Sequence, residues 1–172
     1  MCDPTPIRNW LLAIVAAIVV AIALIIAAAV TNGSFWLAWQ SPGWMAGAFA
    51  ATALAALFCG FAIDALDVFC KCAGSKCSGE CANMRNTLNA ARVVLGIQAL
   101  ACLYAALQAW IPIYGLGVMI AIGAALVIQL GLIASAIFFF SALERCNNLP
   151  PPTGSGSGPL GGPSTRETSL DA

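Results

Sequence analysis

Residues 10–30 read WLLAIVAAIVVAIALIIAAAV, a run of 21 residues with no charge in it. At a rise of about 1.5 Å per residue, a helix of that length covers roughly 30 Å, the hydrocarbon thickness of a bilayer. Thr31, Asn32, Gly33 and Ser34 follow, residue types that favour turns and end the run. Working outward, residues 9–63 contain no Asp, Glu, Lys or Arg, and neither do residues 93–143. The whole chain of 172 residues carries seven acidic and seven basic side chains and no histidine, and 61% of it is hydrophobic. A soluble domain is about a quarter charged. So little polar surface cannot cover a water-soluble fold of this size, and the sequence predicts that the solvent is lipid.

Each charge-free window is too long for one crossing and fits two. Spans are expected at 10–30, 43–63, 93–111 and 115–143, with breaks at Ser41-Pro42 and at Pro112 and a tight turn over 112–114. The last span is long enough to tilt or to run past the membrane. The expected fold is therefore an all-α integral membrane protein, a four-transmembrane-helix bundle over 10–148. Residues 1–9 precede it, a Cys-rich loop over 64–92 interrupts it, and a Pro/Gly/Ser tail over 149–172, expected to be disordered, follows it. A cleaved signal peptide competes for the N-terminus, but 21 apolar residues exceed the usual 7–15 of such a segment.

Orientation follows from the basic residues. Arg8, Lys71, Lys76, Arg85, Arg92 and Arg145 fall at one end of the spans, and the segments 31–42 and 112–114 at the other end have none. The positive-inside rule then places both termini and the 64–92 loop in the cytoplasm. Trp36, Trp39, Trp44, Trp110 and Tyr114 gather at the uncharged end, as interfacial aromatics do.

The chain carries a faint internal repeat. Arg8-Asn9-Trp10-Leu11-Leu12-Ala13 before the first span matches Arg85-Asn86-Thr87-Leu88-Asn89-Ala90 before the third, and Gly43-Trp44-Met45 matches Gly117-Val118-Met119. A duplicated helical hairpin, with its axis along the membrane normal, would produce this pattern. Chance similarity between Ala-rich helices would as well.

The strongest local signal is cysteine. Six of the eight, Cys2, Cys70, Cys72, Cys77, Cys81 and Cys146, fall at the basic end, and Cys59 and Cys102 lie within spans. Cys70-x-Cys72-x4-Cys77-x3-Cys81 offers four thiolates without histidine, a donor set for Zn2+, Cu(I) or an iron–sulfur cluster, although the spacing matches neither paired zinc knuckles nor ferredoxin runs. Three readings compete with the metal site: disulfides, if this end faces an oxidising compartment; palmitoylation at juxtamembrane Cys70, Cys72 and Cys146; or idle reduced thiols.

Other polar groups are few. Asp64 and Asp67, three apart at the end of the second span, are expected to pair with Arg92 across the bundle mouth. Gln98 and Gln129 are expected to hydrogen-bond between helices. No triad, P-loop or dinucleotide fingerprint is present. Zero net charge argues against a nucleic-acid partner, and none is expected. The sequence thus reads as a non-enzymatic multi-pass membrane protein, an accessory, scaffold or assembly subunit. Its cytoplasmic cysteines would bind a soft metal or sense redox state, and its partners would be the lipid bilayer and other membrane proteins or copies of itself. A small-solute or metal-ion transporter using the Cys loop as acceptor, and a palmitoylated four-span organiser, are the alternatives.

Overall fold

The computed structural model describes residues 2–107 and 115–148, with the side chains of Ser75 and Lys76 excepted. The turn expected at 112–114, Gln108, Trp110, Tyr114 and the tail lie outside the described residues. Four helices account for most of the rest: α1 Thr5–Thr31, α2 Pro42–Ala73, α3 Ser78–Leu107 and α4 Gly115–Asn148. All four are long and apolar enough to cross a membrane. No strand occurs among the described residues.

Local chemistry sets the helix ends. α1 begins beside Asp3, whose carboxylate accepts the Thr5 amide at 2.9 Å. It ends where Asn32 Nδ2 donates to the Ala28 carbonyl at 2.8 Å and to Ser41 Oγ at 2.6 Å, so the residue that closes α1 also holds the start of α2. Between them Gly33 takes φ +72, open to glycine without strain. A short 3-10 turn, Phe35–Gln40, then lays Trp39 across the end of α4, where a Cβ on Gly115 would collide with the indole.

One expectation needs correcting at the opposite connection. Residues 64–92 are not a loop: α2 runs on to Ala73, α3 starts at Ser78, and only the 3-10 turn Gly74–Cys77 separates them. Gly74, at φ +67, terminates α2. The span estimate followed hydropathy alone, and Asp64, Asp67, Lys71 and Arg85 continue a helix as readily as they leave a bilayer.

The buried positions follow steps of three and four. In α1 they are Ile7, Leu11, Ile14, Ile18, Ala21, Ile25 and Ala28. In α3 the same spacing runs from Cys81 through Met84, Leu88, Ala91, Leu95, Gln98 and Cys102 to Ala105. This is a heptad seam, the pattern of left-handed helix packing. α3 packs between α2 and α4, and α1 packs on α2. The seam between α1 and α4 is looser. A cleft of about 430 Å³ lined by Ile22, Ile26, Phe35 and Leu126 opens along it.

Candidate functional site

The candidate site is the end of the bundle where α1 starts, α2 meets α3 and α4 finishes. α2 delivers Cys70 and Cys72 in its last turn, the 3-10 turn delivers Cys77, and α3 delivers Cys81 in its first turn. Cys2 precedes α1 and Cys146 lies in the last turn of α4. These six form three disulfides: Cys2–Cys72, Cys70–Cys81 and Cys77–Cys146, with Cα–Cα distances of 5.9, 6.2 and 6.0 Å. Asn147 Nδ2 adds a hydrogen bond to the Cys2 carbonyl at 3.0 Å, so the two ends of the bundle's chain meet directly.

The expected tetrathiolate site at Cys70, Cys72, Cys77 and Cys81 is therefore corrected. Each sulfur is bonded to another sulfur, none offers a thiolate, and two of the partners, Cys2 and Cys146, lie outside the motif. Among the described residues no cluster of three or more His, Cys, Asp or Glu is placed to hold a metal ion. The same pairing leaves no thiol for an acyl chain at Cys70, Cys72 or Cys146. Only Cys59 and Cys102 are free thiols, both buried within the bundle.

The three disulfides differ in exposure. A cleft of about 410 Å³, lined by Asp67, Ser78, Arg85 and Asn86, opens on Cys70–Cys81. A second, of about 430 Å³ between Asp3, Pro6 and Val68, opens on Cys2–Cys72. Cys77 is buried, at 1% exposure, and neither of these clefts reaches Cys77–Cys146.

Charge gathers at this end too. Asp67 pairs with Arg85 at 3.5 Å, on side chains that are largely in water. The expected partner was Arg92, and no carboxylate lies within ion-pair distance of it among the described residues. The Cys70–Cys81 bridge fixes the antiparallel register of α2 on α3, which brings residue 67 opposite 84–85 and carries Arg92 about two turns further along. Hydrogen bonds from the Thr5 hydroxyl and amide hold the Asp3 carboxyl below its ordinary value of 3.8.

Gln98 and Gln129 are buried in the bundle, at 0% and 2% exposure, but the expected bonds across helices are not seen: among the described residues neither carboxamide has a hydrogen-bond partner. Thr52, also 0% exposed, is a third buried polar residue that hydropathy reading passes over. Its hydroxyl donates to the Ala48 and Phe49 carbonyls at 2.9 and 3.0 Å, so it behaves as an apolar residue within its own helix. Compared with protein-family models, with curated proteins and with solved structures, the chain gives no match.

Proposed function

We propose that the chain is a non-enzymatic integral membrane protein, an accessory or scaffold subunit whose cysteine-paired end works as a redox-responsive clasp on the cytoplasmic face. One observation carries the reading. Disulfides join the ends of all four helices at the end that also bears Arg8, Lys71, Lys76, Arg85, Arg92 and Arg145. The basic residues argue for the cytoplasm. In that compartment disulfides are transient and are typically catalytic or redox-sensing. Both facts hold together if the sulfur pairs open and close with the thiol pool. Reduction by a dithiol or by glutathione consumes two electrons and two protons per bridge, yields two protein thiols, and leaves the reductant as a disulfide.

Membrane insertion is supported by the surface. Only 28–33% of the residues in each apolar window are buried, so most of the leucine, isoleucine, valine and phenylalanine faces outward. The duplicated hairpin gains support from the buried positions. Adding 77 to the seven in α1 gives 84, 88, 91, 95, 98, 102 and 105, every one buried in α3. Adding 74 to Met45, Ala48, Ala51, Ala55, Ala62 and Phe69 of α2 gives the six buried residues of α4 from Met119 to Leu143. Cys2–Cys72 and Cys77–Cys146 then close equivalent hairpins, with sequence separations of 70 and 69.

The test is a redox titration of the full chain in lipid, equilibrated with glutathione buffers and trapped with a maleimide mass tag. The clasp predicts two tagged thiols in the oxidised state and eight in the reduced state. It also predicts a midpoint within the cytosolic range of about −220 to −320 mV. Six sulfurs that stay untagged far below that range would make the bridges permanent and overturn the redox reading.

A further inference from the structure

The core of the bundle is interrupted. One apolar cluster fills the disulfide end, from Ile7, Leu66 and Met84 up to Ile18, Ala55 and Leu95. A separate cluster, with Ile25, Met45, Cys102 and Met119, fills the other end. Between them lies a level to which each helix gives a buried alanine, Ala21, Ala51, Ala99 and Ala125, and none of these belongs to either cluster. The buried polar residues described cluster at or near it: Thr52 follows Ala51, Gln98 precedes Ala99, and Gln129 lies one turn past Ala125 towards the disulfide end. Gln98 follows Leu95 and precedes Cys102. Gln129 lies between Ile122 and Ala136.

Thr52 is satisfied by its own helix, but both oxygens and both nitrogens of the two carboxamides are buried without a partner among the described residues. Amide groups so enclosed are costly unless something bonds them, most of all in a chain whose surroundings are hydrocarbon. The level contains no acid, base or histidine, so a charged ligand would find no counter-charge. Four carboxamide atoms do offer donors and acceptors in equal measure. The apolar clusters on either side close this stretch along the bundle axis.

We propose that Gln98 and Gln129 form an occluded site, midway along the bundle, for a small uncharged molecule that both donates and accepts hydrogen bonds. Water and an amide-like solute share that chemistry. The site rests on the interrupted core and not on the redox reading of the cysteines. In the duplicated frame, Gln98 stands where α1 has Ala21 and Gln129 where α2 has Ala55, so the polar pair belongs to the second hairpin alone.

The experiment is solid-state NMR of the full chain in bilayers, labelled with 15N-glutamine, with Gln98→Leu and Gln129→Leu used to assign the side-chain signals. Magnetisation transfer from water to both carboxamides, with no response to added urea, assigns the site to water. A saturable shift of both signals on adding urea, lost in either variant, assigns it to an amide-like solute. Direct contact between the two carboxamides, with neither water transfer nor urea response, means that they pair with each other and overturns the proposal. Thermal unfolding of the Gln98→Leu/Gln129→Leu double variant gives a second reading. An unchanged or raised Tm fits the removal of two groups that lack protein partners. A Tm lowered by several degrees indicates a lost inter-amide bond and contradicts the site.

Discussion

At the scale of the residue, the account turns on which side chain faces which neighbour. Gly115 has no room for a side chain under the Trp39 ring. Gly115→Val should cost about 1–3 kcal/mol by overpacking, measured by thermal or denaturant unfolding in detergent. The exposed Asp67–Arg85 pair should matter far less, and Arg85→Ala should cost under about 1 kcal/mol. Asp3 supplies the pH dependence. Its folded pKa lies below the ordinary value of 3.8, so the hydrogen bonds from Thr5 stabilise the start of α1 above that pH and are lost as the pH falls through the folded value. Fraying confined to the first turn of α1 in acid, followed by amide exchange, checks this, and Asp3→Asn should remove the dependence. Asp67 does stand in an ion pair, with Arg85 in place of the expected Arg92. Arg85 becomes its neighbour only once α2 is known to continue to Ala73 and to turn back within four residues.

At the scale of the element, the disulfides rank by the length of chain they close and by access. Cys77–Cys146 spans 69 residues and Cys70–Cys81 spans 11. Chain entropy alone makes the longer loop worth ~1.6 kcal/mol more. Cys77→Ser/Cys146→Ser should therefore lower stability more than Cys70→Ser/Cys81→Ser, as read from unfolding midpoints. Graded reduction should open the two bridges that face clefts before Cys77–Cys146, as followed by mass mapping of tagged peptides. Four long apolar helices were legible because their charge-free windows are long. Their buried faces were not. Ile25 is 2% exposed and Ile26 is 56% exposed, and no polar residue marks the difference between the core side and the outer side. Hydrophobic contrast, which reveals a helix face in a water-soluble protein, vanishes when the surroundings are as apolar as the core.

At the scale of the whole molecule, one end is covalently fastened and charged, and the other is apolar, aromatic and free of cross-links among the described residues. The sequence brought six cysteines to one end and read four of them as a metal site because those four are close in the chain. Two of the four, Cys72 and Cys77, instead pair with Cys2 and Cys146, about 70 residues away and brought near only by the folding of the hairpins. An even number of cysteines at a single end, with two separations nearly equal, was the signal that pointed to pairing. The clasp is tested most directly by mass-tagging the cysteines in intact cells, with a membrane-impermeant maleimide outside and a permeant one after acid trapping. The account predicts that the six clasp cysteines resist the impermeant reagent and shift from tagged to untagged when cells are treated with a thiol oxidant. Labelling of this end from outside, after reduction with an impermeant phosphine, would contradict it and place the disulfides permanently in an oxidising compartment.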